Sequence, residues 1–180
     1  SGTTLVEAKL LNRNAVGIDI NPQSVITSES NLQFQCNSTS KIYMQDGNAV
    51  DLKFIKDQHI DFICTHPPYA GIIKYSNGIN GDFSLLETED FLRKMLEAAQ
   101  EAYRVLKKGK MCAIMMGDVR KQGKIIPLGF RVMECFLRSG FQTKEIIIKK
   151  QHNCHSTDYW IKQFRDFLLL AHEYIFVFQK

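Results

Sequence analysis

"IDFICTHPPY" (residues 60–69) is an apolar run of strand length that stops on two adjacent prolines and an aromatic ring. Proline lacks a backbone N–H and fixes φ, and it pushes the residue before it into an extended shape, so the run ends as a stiff corner at Thr65 and His66. Three other stretches have the same form, a short apolar run closed by an acid: "NAVGIDI" (14–20), "KIYMQD" (41–46) and "MCAIMMGD" (111–118). Such runs fit four strands buried in a parallel sheet. Between them the apolar spacing turns helical, which predicts helices over 3–12, 22–35 and 89–107, the last with Phe91, Met95, Ala98, Ala102 and Leu106 on one face. Thr88 is expected to cap that helix and Gly109 to end it. A loop with Gly123 and Pro127 follows, then a helix in "LGFRVMECFLRSG" (128–140) and a strand in "FQTKEIIIKK" (141–150). No helix separates that strand from the β-rich end "FLLLAHEYIFVFQK" (167–180), so the two are expected to pair antiparallel. The expectation is a single α/β domain over residues 1–180, mostly parallel, with a C-terminal antiparallel hairpin.

The bulk properties agree with one globular domain: 180 residues, 44% apolar and 23% charged. No apolar run reaches the ~20 residues of a membrane helix, and the first residues lack a signal-peptide layout, so a soluble cytoplasmic protein is expected. Five scattered cysteines favour a reducing compartment. His152, Cys154 and His155 lie close together, but without a CxxC or a second ligand pair they read as a polar loop, and no metal is expected. The net charge of +4 permits a polyanionic partner, and most of the basic excess falls after residue 106.

In an open α/β sheet, ligands bind beyond the C-terminal ends of the strands. Those ends carry Asp19 with Asn21, Asp46 with Gly47 and Asn48, Thr65 through Tyr69, and Gly117 with Asp118. "SGTT" (1–4) places Gly2, Thr3 and Thr4 at the start of the first helix, where a ligand could approach the backbone closely. A carboxylate at Asp19 suits a pair of ribose hydroxyls, and one at Asp46 an exocyclic amine such as adenine N6. Each aspartate alone could equally cap a helix or turn.

"SGTT", "GIDINP" (17–22) and "THPPY" (65–69) together resemble the glycine loop, the acidic second-strand motif and the [DNS]PP[YFW] motif of the amino-methylating DNA methyltransferases. The resemblance runs in order from residue 1 to about 118. It implies a Rossmann-like class I methyltransferase sheet and S-adenosylmethionine as cofactor. Gly2, Thr3 and Thr4 would then line its methionine end, with Asp19 on the ribose, Asp46 on the adenine amine and Thr65 beside the methyl donor. His66, Pro67, Pro68 and Tyr69 would form the catalytic pocket for a base flipped out of the DNA stack, with Tyr69 stacking on it. The exocyclic amine of a base is a poor nucleophile because its lone pair is delocalised. Acceptors held rigidly by the prolines would draw out its N–H groups.

Two departures stand out. His66 occupies a position that is usually Asp, Asn or Ser; neutral histidine accepts through one ring nitrogen and loses that capacity on protonation. The usual strand order 3-2-1-4-5-7-6 also requires a central strand before the glycine loop, between "NAVGIDI" and "IDFICT", which an upstream segment or a second subunit would supply. The loop 70–84 is expected to act as a lid. Arg120, Lys121 and Lys124, with Tyr159 and Trp160, are the expected nucleic-acid contacts. The implied activity is site-specific methylation of cytosine N4 or adenine N6, as in restriction-modification. The alternatives are an RNA guanine-N2 or protein-glutamine methyltransferase, and a non-catalytic methylase-like subunit.

Overall fold

The structure is a computed structural model that describes residues 2–151 and 167–180. Its elements follow in the order α1 (Thr3–Leu10), β1 (Ala15–Asp19), α2 (Pro22–Asn31), β2 (Ile42–Asp46), β3 (Ile60–Thr65), α3 (Thr88–Val105), β4 (Leu106–Met116), β5 (Val119–Lys121), β6 (Lys124–Ile126), α4 (Leu128–Arg138), β7 (Gln142–Lys150) and β8 (His172–Gln179).

Two separate ladders take the place of one continuous sheet. β1 pairs parallel with β2, and a second sheet runs β3-β4-β8-β7, with β3 parallel to β4 and β8 antiparallel to both β4 and β7. The sheet is therefore interrupted between β1 and β3, where the family resemblance implies a further strand, and the C-terminal hairpin forms as expected. Among the described residues, an apolar cluster and an arginine help hold the ladders together across the interruption. Leu52, Ile55 and Val105 form a small buried cluster against which Val16 and Ile18 of β1 and Ile60 and Ile63 of β3 pack. Above it, Arg104 at the end of α3 donates to the carbonyls of Leu52 and Ile55 and to the carboxylates of Glu101 and Asp57.

The main core lies under α3 and α4. Successive strand residues face opposite sides, so Cys112, Ile114 and Met116 of β4 join Phe176 and Phe178 of β8 on one face, all fully buried. Phe91, Met95 and Ala99 of α3 and Leu128, Val132 and Phe136 of α4 cover them. Phe136 stacks on Phe178 with ring centroids 4.9 Å apart and planes 7° from parallel. On the opposite face, the paired residues Phe62 and Met111 are exposed.

Several local expectations give way to tertiary context. Thr88 is the first helical residue of α3 rather than its cap; Glu87 stands at the cap position and makes no side-chain cap bond. Gly109 does not end the helix, which stops at Val105; it lies with φ +76° in β4, where Lys107–Lys110 bulge outward between the Leu106 and Met111 pairings. Lys107 and Lys110 there pair with Asp61, at 2.9 and 3.5 Å. α1 and α2 end earlier than their apolar spacing suggests, at Leu10 and Asn31. The expected loop around Gly123 is a hairpin, β5-β6, turned by Gln122 and Gly123 with φ +51° and +77°. Two positive φ values in succession give the turn the twist that antiparallel strands need.

Candidate active site

The strand ends supply most of the candidate residues. Asp19 and Asp46 are direct partners in the parallel ladder, so their carboxylates stand side by side at the ends of β1 and β2. Like charges set opposite each other on neighbouring strands destabilise a sheet, and a ligand that donates hydrogen bonds to both would offset that cost. Asp19 spends one oxygen on the Asn21 backbone N–H, at 2.9 Å, while the Asp46 carboxylate makes no hydrogen bond among the described residues. Asn21 caps α2, its side-chain oxygen accepting from the Gln23 N–H at 3.0 Å. Gly47 donates to the Asp19 carbonyl, continuing the strand end into the turn that holds Asn48.

Gly2 caps α1 with φ +68°, a left-handed conformation that favours glycine, and a Cβ there would lie 2.7 Å from Ser28 Cβ of α2. Thr3 and Thr4 open the helix. α1 joins β1 through a short turn and packs on it. It therefore returns antiparallel to the strand and carries Gly2 toward the end that bears Asp19. Gly17 permits that contact, since a Cβ on it would come within 2.7 Å of Leu5 Cδ1. The start of α1, the paired carboxylates Asp19 and Asp46 and the polar strand end at Thr65 are the candidate donor and acceptor groups of this region.

Thr65 closes β3 opposite Ile114, and His66 follows it at the surface. Pro67, Pro68 and Tyr69 are partly buried. The Tyr69 hydroxyl donates to Glu173 Oε1 at 2.7 Å and lies 3.2 Å from His66 Nε2. The two rings meet edge to face, with centroids 5.7 Å apart. Gly117, at the end of β4, makes room for this arrangement: a Cβ on it would meet Tyr69 Oη at 3.3 Å and Glu173 Cγ at 3.5 Å. Glu173 sits on β8 and is buried, and its second oxygen accepts from Lys149 of β7 at 2.6 Å. Burial pushes the Glu173 carboxyl up, but the hydrogen bonds from Lys149 and Tyr69 and the lysine charge outweigh it, so Glu173 titrates below its usual range.

Burial lowers the His66 pKa, Glu173 raises it and Lys149 lowers it again, and the net shift is downward. A protonated His66 would face Glu173 at 3.8 Å. That carboxylate is already paired with the closer Lys149, so the ring stays neutral to lower pH than a free histidine would. Burial and the bond to Glu173 raise the Tyr69 pKa far above its usual value, which keeps the phenol protonated. Sequence reasoning missed Glu173 and Lys149. Glu173 showed only as an acid within the apolar strand β8, and Lys149 as one of several charges on β7; pairing across β7 and β8 gave both meaning.

The loop after Tyr69 is tied down rather than free. Ser76 donates to buried Asp82 at 2.6 Å, the Ser84 N–H donates to the same carboxylate at 2.8 Å, and the Tyr75 N–H donates to Ser84 Oγ. Asn21 Nδ2 donates to the Tyr75 carbonyl at 3.3 Å, so the loop touches the end of β1. Ile72, Ile73 and Tyr75 are exposed on it. Of the expected nucleic-acid contacts, Arg120 is committed within the protein, donating to the carbonyls of Gly123 and Leu168 and lying over the Phe167 ring at 4.2 Å. Lys121 pairs with Glu87 at 2.9 Å, and Lys124 makes no ion pair among the described residues. Tyr159 and Trp160 lie outside the described residues, as do His152, Cys154 and His155. Cys36, Cys64, Cys112 and Cys135 are free thiols. No metal-binding group occurs among the described residues, and no helix among them is long and apolar enough to cross a membrane.

A family model described as DNA methylase matches residues 60–180, from the first residue of β3 to the end of the chain. The chain belongs to that family of DNA methylases. The Type II methyltransferase M.MthZI of Methanothermobacter thermautotrophicus is 26% identical over 162 residues, covering 79% of this chain and 45% of its own length. The chain thus spans less than half of this relative. Among solved structures, a DNA modification methylase of Thermus thermophilus complexed with S-adenosyl-L-methionine is similar with a TM-score of 0.55 at 23% identity, covering 74% of this chain and 53% of its own. The PvuII cytosine-N4-specific DNA methyltransferase is similar with a TM-score of 0.59 at 19% identity, covering 74% of this chain and 47% of its own. The fold is that of the S-adenosylmethionine-dependent methyltransferases.

Proposed function

We propose that the protein methylates an exocyclic amine of a base in DNA, cytosine N4 or adenine N6, with S-adenosylmethionine as methyl donor. The observation that carries this reading is the contact of His66 with Tyr69 at the end of β3 in a DNA methylase chain, where Pro67 and Pro68 restrict the backbone. The paired carboxylates support a nucleoside site beside it. S-adenosylmethionine supplies an electrophilic methyl group. Asp19 and Asp46 would receive its ribose and amine donors, and the start of α1 would receive its carboxylate. The chain's contribution to the transfer is positioning and polarisation. An acceptor drawing on one amine N–H pulls the nitrogen towards a pyramidal shape and returns its lone pair to it, and a rigid corner does this without reorganisation.

The names of the relatives support a role in restriction-modification. The interrupted sheet supports a further strand, parallel to β1 and β3, seated between them. The backbone edges of β1 and β3 that face the interruption make no ladder among the described residues, and open edges of that kind are costly in a sheet centre. The test of function incubates the full-length protein with labelled S-adenosylmethionine and, separately, duplex DNA, tRNA and a glutamine-containing peptide, then analyses the digested nucleosides by mass spectrometry. Methylcytosine or methyladenine in the DNA digest alone is expected. Transfer only to tRNA or peptide would overturn the choice of substrate, and donor binding without any transfer would identify a non-catalytic subunit.

A further inference from the structure

Glu173, Tyr69 and His66 form a chain of hydrogen bonds that has a direction. Glu173 is an ionised carboxylate, held so by Lys149 Nζ at 2.6 Å, and can only accept. Tyr69 carries a single hydroxyl proton, and the charge-assisted bond to Glu173 at 2.7 Å claims it over the longer 3.2 Å contact to His66. The Tyr69 oxygen can therefore meet His66 Nε2 only as an acceptor, which requires the ring proton on Nε2. A neutral imidazole has one proton, so Nδ1 is left with its lone pair, and Nδ1 makes no hydrogen bond among the described residues.

We propose that Glu173 is a positioning residue that acts through the Tyr69 hydroxyl to hold His66 as the Nε2–H tautomer, leaving Nδ1 as the side-chain acceptor for the substrate amine. The substrate part rests on the methyltransferase reading, whereas the tautomer does not. This arrangement gives histidine the acceptor that Asp, Asn or Ser would otherwise supply at position 66. It also explains a buried carboxylate on β8, far along the chain from the corner, and the absence of a side chain at Gly117, where the Tyr69 ring crosses the end of β4.

The relay predicts the effect of Glu173→Gln. Lys149 is a cation and takes the glutamine carbonyl, which turns the NH2 group to Tyr69. The Tyr69 oxygen then accepts from glutamine and its proton goes to His66 Nε2, which shifts the ring proton to Nδ1. Long-range 1H–15N correlation spectra of the full-length protein at about pH 8 read this directly, with His66 assigned by its loss in His66→Gln. The expected result is a pyridine-like Nδ1 in the wild type and a pyrrole-like Nδ1 in Glu173→Gln, with Tyr69→Phe giving a mixture of tautomers. Methylation by Glu173→Gln should fall at least tenfold in kcat, with the KM for S-adenosylmethionine within about twofold of wild type. A wild-type tautomer retained in Glu173→Gln overturns the proposal. A tautomer shift in a protein whose wild type methylates no DNA supports the relay and refutes the methyltransferase reading instead.

Discussion

At residue scale the decisive position is His66. Its neighbours keep it neutral: burial and Lys149 lower its pKa, and the opposing pull of Glu173 does not restore it. An acceptor role needs the neutral ring, so activity should persist below the usual histidine pKa of about 6.5 and fall only as pH drops through the lower folded value. A kcat/KM profile whose acid limb lies at or above pH ~6.5 would contradict this. Replacing His66 by Ala should cost about 10- to 100-fold in kcat, whereas Asp or Ser, which also accept, should retain more. Rates unchanged from wild type in all three variants would make His66 a bystander. That two prolines follow it and restrict the backbone there was legible from residue chemistry alone. The partner of His66 was not, because Glu173 is 107 positions away and reaches the corner only through β8 pairing with β4 and β7.

The β5-β6 hairpin shows at element scale how a basic cluster divides by function. It leaves β4 at the same end of the sheet as the Thr65–Tyr69 corner, but its three cations are not equivalent. Arg120 braces the hairpin against Gly123, Leu168 and Phe167, and Lys121 answers Glu87. Only Lys124 of the three remains uncommitted among the described residues. Replacing Lys124 with Ala should weaken DNA binding evenly across sequences and reduce the slope of log affinity against log salt by about 1. Lys121→Ala, measured by the same salt titration, should change the slope less, because Glu87 competes with phosphate for that cation. The hairpin itself was hidden in the sequence. Its strands are three residues long, too short for periodicity to register, and its turn depends on Gln122 adopting a left-handed conformation that sequence preference does not favour.

Across the whole molecule, two ladders share one architecture without sharing hydrogen bonds between β1 and β3. Arg104 and the Leu52, Ile55 and Val105 cluster join them through the β2-β3 connection and the end of α3. A strand seated in the interruption would protect the inward-facing amides of both neighbours. Hydrogen exchange on the full-length protein should therefore show slow amides on both edges of β1 and β3, matching those already paired with β2 and β4. Rapid exchange on the inner edges alone would show that no strand sits there.

The sequence by itself determined the order of the helices and of every strand but the short β5 and β6, the antiparallel C-terminal return and the acids that close β1 and β2, Asp19 and Asp46. Each of these follows from local apolar runs, breaker residues and the rule that strand ends carry ligands. It also marked residues 65–69 as a stiff corner after β3, because proline restricts the backbone whatever surrounds it. Tertiary structure decided which polar groups are spent and which remain: Asn21 on a helix cap, Arg120 on its own hairpin, Glu173 on Tyr69. Hydrogen bonds saturate, so a donor or acceptor is available for function only when no nearer partner has claimed it, and those partners are known only once the chain has brought distant strands together.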